Sequence, residues 1–221
     1  MCRKIISTLF LLAVMVTASA QTLQLRAGGG FASQYSDKKV VGAFKFGVGF
    51  EYEFDQHWAI NPSLNLQGKG WKDKDVFVND LDESGVPKKD DEGNLIMSRM
   101  GRSTTANYLE LPVLMNYYLR TGEKQYVVIS AGPYVACGLW GKEETKGDGR
   151  RQGSEKLYYD RNTFEKQGAH RFDAGIQTAL GYQFSVGITL GVEADFGLTD
   201  FSSSSGKNVS GLVFLTYNFG K

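Results

Sequence analysis

Residues 107–120 read NYLELPVLMNYYLR, and apolar side chains alternate with a mixed set along this stretch. Every odd-numbered position from Leu109 to Leu119 is apolar or aromatic, whereas the even-numbered positions include Glu110 and Asn116. Successive side chains of a β-strand point to opposite faces of the sheet, and only a strand has this period of two. The stretch therefore predicts a strand with one face against an apolar phase and the other against partly polar surroundings.

The same alternation recurs in seven further segments, each long enough for the roughly 9 to 11 residues of a transmembrane strand. The clearest is 41–54, where six large apolar side chains from Phe44 to Phe54 share one face, opposite Lys45, Glu51 and Glu53. The other segments are 22–31, 58–71, 126–140, 171–184, 186–201 and 209–219.

The connections between these segments alternate in length. They are short after the second, fourth and sixth segments, but about 35 and 30 residues long after the third and fifth, at 72–106 and 141–170. Short periplasmic turns and long extracellular loops are typical of outer-membrane barrels, whereas a soluble sandwich has no reason to sort its loops in this way. We therefore predict an all-β fold, an eight-stranded antiparallel transmembrane up-and-down β-barrel with long extracellular loops, over residues 21–221.

The N-terminus has the features of a secretory signal. Arg3 and Lys4 precede an apolar run at 9–16, and Ala18 and Ala20 form a small-residue cleavage site. The run is much shorter than the roughly 20 residues of a membrane-spanning helix. We therefore expect a cleaved signal peptide at 1–20, export, and location in the outer membrane of a Gram-negative bacterium.

The net charge gives no reason to expect a nucleic-acid partner. Without Arg3 and Lys4 the chain has 23 basic and 24 acidic residues, and nucleic-acid-binding domains are strongly basic.

The YLELP motif at 108–112, the repeated strands behind a signal, and a last strand rich in glycine and aromatic residues resemble the PorT-type outer-membrane β-barrel family of Bacteroidota. Its architecture is similar to that of the small OmpA and OmpX barrels. The resemblance covers the whole mature chain, and it implies an outer-membrane barrel and permits an accessory role in secretion.

An eight-stranded barrel has an interior that side chains can fill. The predicted inward faces carry charges of both signs, including Lys69, and we expect ion pairs because an unpaired buried charge is costly. A proton or ion path along the carboxylates is the alternative. The candidate lumen polar network is Arg26, Lys45, Glu51, Glu53, Glu110, Arg171, Asp173, Glu193 and Asp195.

We expect neither an enzyme nor a bound cofactor. The sequence has no GxSxG or HExxH motif, and its two histidines are His57 in a short turn and His170 near the outer rim. A rim histidine acting as a base beside Asp173 is the catalytic alternative. The acidic stretch from Asp80 to Asp91 has some of the spacing of a calcium loop, but Pro87 interrupts it, and we expect a solvated turn and no metal site.

The second long loop is highly charged and contains Tyr158, Tyr159 and Phe164, which form a candidate partner-binding loop. Packing of these aromatics within the loop is the equal alternative. We expect a non-enzymatic structural, surface-recognition or secretion and envelope-accessory role. The alternatives are a narrow porin-like solute or ion channel and a rim-located membrane enzyme. The expected partners are outer-membrane lipid and an extracellular or envelope protein, and we expect a monomer.

Overall fold

The computed structural model describes residues 21–35, 38–147, 159–165, 167–203 and 205–220. The predicted signal peptide at 1–20 and Tyr158 lie outside the described residues. The described chain forms ten strands and one turn of 3-10 helix at Thr163–Glu165. The strands are β1 (Gln21–Gln34), β2 (Val41–Glu53), β3 (Trp58–Lys72), β4 (Val76–Asn79), β5 (Met97–Gly122), β6 (Gln125–Gly147), β7 (Tyr159–Asn162), β8 (Phe172–Gln183), β9 (Ile188–Ser202) and β10 (Ser205–Asn218).

Eight of the strands in the described chain close into a ring. Its order is β1, β2, β3, β5, β6, β8, β9 and β10, with β10 pairing back to β1, and every pairing is antiparallel. Closure lets the backbone N–H and C=O groups bond within the sheet and leaves no edge facing lipid. This confirms the predicted fold class.

The ring has charged side chains inside and apolar ones outside. In β2, Phe46 is 55% exposed and Val48 is 44% exposed, whereas Lys45 between Phe44 and Phe46 is 0% exposed. The same holds in β5, where Glu110 is fully buried and Met115 is 41% exposed. A soluble fold would reverse this arrangement, but a barrel wall in lipid requires it. Among the described residues, no helix is long and apolar enough to cross a membrane.

Two strands of the ring are much taller than the sequence predicts. β5 begins at Met97 and β6 ends at Gly147, so part of each predicted long loop is strand. β4 pairs with β5 beyond the end of β3. β7 pairs with residues 142–145 of β6. We call this four-stranded extension the extracellular wall; it comprises β4, 97–106 of β5, 141–147 of β6, and β7. Residues 97–106 lack a continuous apolar face, because the wall stands beyond the lipid.

The connection from β4 to β5 is also ordered. Its two tight turns are formed by Asp82 and Asp90, whose carboxylates each accept two backbone N–H bonds of 2.8 to 3.0 Å, and Gly85 and Gly93 supply the positive φ angles of 78° and 86°. Asp82 thus has a structural role in its turn. The hydrogen bonds from backbone N–H groups, of which that from Asn94 has the largest effect, hold the pKa of the Asp90 carboxyl below its usual range.

Candidate functional site

The middle of the lumen is an ion-pair network built on two buried lysines. The Lys45 ammonium lies 2.9 Å from a carboxylate oxygen of Glu110, 2.9 Å from Glu193 and 3.2 Å from Asp195. Lys69 lies 3.0 Å from the other Glu110 oxygen and 3.3 Å from Asp173. The side chains of these groups are at most 3% exposed. Glu110 therefore bridges the two lysines at the centre of the barrel.

Neutral polar groups donate further hydrogen bonds to the same carboxylates. Asp195 accepts hydrogen bonds from the Gln67 amide at 2.6 Å and the Ser210 hydroxyl at 2.8 Å. Further donors are Gln177 to Glu193 at 3.1 Å, and Asn208 and Thr199 to Asp173 at 3.2 and 3.0 Å. Such bonds are needed for buried charges to be tolerated. The predicted network lacks these neutral residues, although Gln67, Gln177, Thr199 and Ser210 lie at inward positions of the alternating pattern.

The network has more carboxylates than cations. Among the described side chains it contains Lys45, Lys69 and Arg26, which lies 3.2 Å from Glu193, against Glu110, Asp173, Glu193 and Asp195. The Arg26 guanidinium also lies 4.0 Å from the centroid of the Phe214 ring. Each cation consequently contacts more than one carboxylate or ring. Loss of a cation leaves a larger charge imbalance than loss of a carboxylate does.

An aromatic layer closes the extracellular end of the lumen. Trp71, Tyr108, Tyr134, Phe164 and Phe201 pack in one buried cluster. The Phe164 ring lies 5.7 Å from Tyr108 and 6.0 Å from Phe201, centroid to centroid. The Lys69 ammonium lies 4.4 Å from the Tyr134 centroid, so the charged and aromatic layers are in direct contact.

The periplasmic end is closed by Tyr118, which packs with Ala59 and Val128 and donates a hydrogen bond to Glu51. Asn116 donates to the same Glu51 oxygen at 2.7 Å. Between this level and the lysines lies a small cavity of about 30 Å³, which is large enough to hold a water molecule. Below Tyr118 an open cleft of about 460 Å³ faces the periplasm. The interior is therefore filled at three levels.

The structure brings six of the nine predicted network residues together and separates three. Glu51 lies one level nearer the periplasm, in contact with Tyr118. Glu53 is exposed at the end of β2 and lines the periplasmic cleft. Arg171 is exposed just before β8 and donates to the carbonyls of Gly138 at 2.9 Å and Leu139 at 3.0 Å. Placing Glu53 and Arg171 in the network was wrong, because the alternation was extended to strand ends, where side chains leave the lumen. The six that meet are Arg26, Lys45, Glu110, Asp173, Glu193 and Asp195.

Phe164 is not an exposed anchor, which corrects the predicted partner-binding loop. Its side chain is only 7% exposed because it inserts into the barrel mouth. Gly138 leaves room for the ring, since a Cβ at that position would lie 2.2 Å from the Phe164 ring. The Arg171 guanidinium stacks 5.0 Å from the same ring. Tyr159 contributes its backbone to β7, and Tyr158 lies outside the described residues.

The histidines lie at opposite ends of the barrel. His170 is exposed at the rim, and its Nδ1 lies 3.1 Å from the Asp200 carbonyl oxygen. His57 stacks on Tyr117 in the periplasmic turn, with 6.1 Å between ring centroids. In that turn the Asp55 carboxylate accepts hydrogen bonds from the backbone N–H groups of His57 and Trp58. These two bonds hold the pKa of the Asp55 carboxyl below its usual range.

Comparison with known proteins gives one family and several similar structures. Ail, the attachment invasion locus protein of Yersinia pestis, is 11% identical, with 90% of this chain and 97% of that chain covered and a TM-score of 0.41. The outer membrane enzyme PagL is 12% identical, with 88% and 98% covered and a TM-score of 0.41. Neisserial surface protein A is 10% identical, with 90% and 95% covered and a TM-score of 0.38.

No curated protein sequence matches the chain. A family model described as the outer membrane protein beta-barrel domain matches residues 12–203. That match spans most of the sequence and agrees with the closed ring and its apolar exterior. The chain therefore belongs to the outer membrane protein β-barrel domain family and is an outer-membrane protein.

Proposed function

We propose that this protein is a non-enzymatic outer-membrane barrel whose lumen is a structural core and whose role is recognition at the extracellular surface, in support of an envelope or secretion partner. The observation that carries the proposal is the filled interior. Aromatic rings, paired charges and Tyr118 occupy successive levels of the lumen. This arrangement opposes the channel alternative, since a solute would have to displace buried ion pairs.

The extracellular wall and the connection from β4 to β5 support a recognition role. Together they present apolar side chains that neither lipid nor the barrel interior requires at this height. Phe77 is 67% exposed and Val86 is 56% exposed, and Leu95, Ile96 and Met97 are 40 to 50% exposed. Exposed apolar patches beyond a membrane mark sites of protein interaction. The narrower kinship with PorT-type barrels, the cleaved signal at 1–20 and the monomeric state belong to this proposal.

The proposal is tested by removing the connection while keeping the wall. Asn79 and Met97 face each other across the β4–β5 pair. Residues 80–96 can therefore be replaced by Asn-Gly, which closes two-residue hairpins. We expect the shortened protein to keep the gel mobility of the folded barrel and to lose partner capture from intact outer membranes and complementation of a deletion strain. The matched control replaces the periplasmic turn residues 123–124 with Asn-Gly. Full complementation by the shortened barrel would contradict an extracellular role for this segment.

A further inference from the structure

A cleft lies on the outer side of the extracellular wall, above the lipid-facing surface. It has a volume of about 360 Å³, with Gly101, Ser103 and Gly147 among its lining residues. Long side chains of Lys72, Arg99 and Lys146 also line it, together with the carboxylates of Asp75 and Glu144. Small residues beside long cationic ones make a recess that an anionic group can enter.

The cleft belongs to a surface with a surplus of positive charge. Asp75 lies 3.2 Å from Lys39, 3.9 Å from Lys72 and 4.0 Å from Arg99. Glu144 lies 3.1 Å from Lys146 and also pairs with Lys142. We call these seven residues the outward cationic patch; its five cations face two carboxylates among the described side chains. The hydrogen bonds from Lys39 and Lys142 hold the pKa values of Asp75 and Glu144 below their usual ranges, so both stay ionised and the patch keeps a net charge near +3.

The patch faces the membrane side of the wall and not the mouth of the barrel. Lys142 pairs with Thr105, Glu144 with Ser103 and Lys146 with Gly101, all odd-numbered positions of β5. The odd-numbered face of β5 is the face that carries the lipid-facing Leu109 and Met115 lower in the strand. A ligand on the patch would therefore lie beside the barrel, at the level of headgroups that project above the acyl chains of the outer leaflet.

The height of the patch selects the kind of headgroup. Trp140, 49% exposed on the same outer face, is of the residue type that sits at membrane interfaces. With ~3.4 Å per residue and a strand tilt near 40°, Lys142 stands about 5 Å and Lys146 about 15 Å above Trp140. The interfacial layer of a phospholipid bilayer is only about 5 to 8 Å thick on each side. Phospholipid phosphates would therefore reach Lys142 alone, whereas a glycolipid with several sugars would reach the whole cleft.

We propose that the outward cationic patch binds the phosphorylated sugar headgroup of an outer-leaflet glycolipid. Lys72, Arg99 and Lys146 supply charge-assisted hydrogen bonds to phosphate oxygens in the cleft, and Lys142 contacts the phosphate nearest the acyl chains. Binding fixes the wall against the surface of the leaflet. The inference rests on the membrane position of the barrel and is independent of the proposed recognition role.

The test measures binding of a stated glycolipid to the whole mature protein in detergent. The probe is deep-rough lipopolysaccharide with a phosphorylated core, titrated by native mass spectrometry. The patch variant Arg99→Gln/Lys146→Gln is compared with the control Lys88→Gln/Lys89→Gln. The control removes the same charge from the connection between β4 and β5. Because the patch variant removes two cations from beside the anionic headgroup, we expect about a tenfold or greater loss of affinity in that variant and less than twofold in the control.

Both variants should retain the gel mobility of the folded parent, since Arg99 and Lys146 side chains are 57% and 68% exposed. Removal of the phosphates from the probe with hydrofluoric acid should weaken binding to the parent as much as the patch variant does. Equal affinity of parent and patch variant, or of phosphorylated and dephosphorylated probe, would overturn the proposal. So would equal affinity for phosphatidylglycerol, which indicates general attraction to anionic lipid, or for the free core oligosaccharide, which indicates a soluble ligand.

Discussion

Glu110 shows how charge balance decides the effect of a substitution inside the barrel. It contacts both buried lysines at 2.9 and 3.0 Å, yet the network around it already has one carboxylate too many. An uncompensated charge in a low-dielectric interior is expensive. Loss of a lysine therefore increases the imbalance, whereas neutralisation of Glu110 removes it.

The first prediction ranks substitutions at these two positions. Lys45→Met should lower the free energy of unfolding by roughly 3 to 5 kcal/mol, the usual range for breaking a buried pair. Glu110→Gln should lower the free energy of unfolding by less, because the amide oxygen still accepts a hydrogen bond from one lysine. The loss for Glu110→Ala should lie between those for Glu110→Gln and Lys45→Met. Urea titration of the folded fraction, read from the mobility difference between unboiled and boiled samples, gives the order. A loss for Glu110→Gln as large as that for Lys45→Met would contradict the charge-balance argument.

The second prediction concerns the lipid face of β2. Phe46→Arg should cost about 2 to 4 kcal/mol, as an arginine near the bilayer midplane does, while Phe46→Leu should cost little because it stays apolar. Folding into lipid vesicles under increasing urea measures both. Gly47, although it faces inward, is a poor control, since a Cβ there would lie 1.9 Å from Oδ1 of Asn65. Equal stability of the Phe46→Arg and Phe46→Leu proteins would show that this face does not meet lipid.

At the scale of elements, the sequence was informative wherever lipid constrains it. The segment 41–54 corresponds to β2 at Val41–Glu53 because each outward residue must be apolar there. The extracellular wall could not be predicted in the same way. Residues 97–106 face water, which does not require an alternation of apolar and polar side chains. The pairing of Lys45 with Asp195, 150 residues away in the chain, depends on register across several strands, which alternation alone does not determine.

The third prediction concerns the aromatic layer at the barrel mouth. Phe164→Ala should expose Trp71, now 4% exposed, to aqueous quenchers, because the Phe164 ring covers the cluster from the extracellular side. The measurement is iodide quenching of Trp71 fluorescence in a background with Trp58→Phe and Trp140→Phe. The matched control is Phe172→Ala, which removes a lipid-facing ring that is 47% exposed and should leave quenching unchanged. If Trp71 in the Phe164→Ala protein stayed as protected as in the parent, another part of the loop would be the cover.

At the scale of the whole molecule, the barrel joins an apolar exterior to a polar, filled interior and carries one wall well above the membrane. The ring of eight strands and the outer-membrane location could both be predicted from the sequence, because alternation and loop length report on lipid and on closure. The layered filling of the lumen could not be predicted, since Phe164 enters the lumen from a charged loop that has no alternation. In our proposal the lumen is a structural core and not a path for solutes.

Planar-bilayer recording of the unaltered mature protein tests this claim most directly. Insertion is first verified by the mobility difference between unboiled and boiled samples recovered from the same lipid. We predict no steady current above the baseline of the bare bilayer across the voltage range, because paired charges and aromatic rings fill a lumen of this strand number. Large, steady, voltage-proportional currents from the unaltered protein would show that the lumen conducts and is not a filled core.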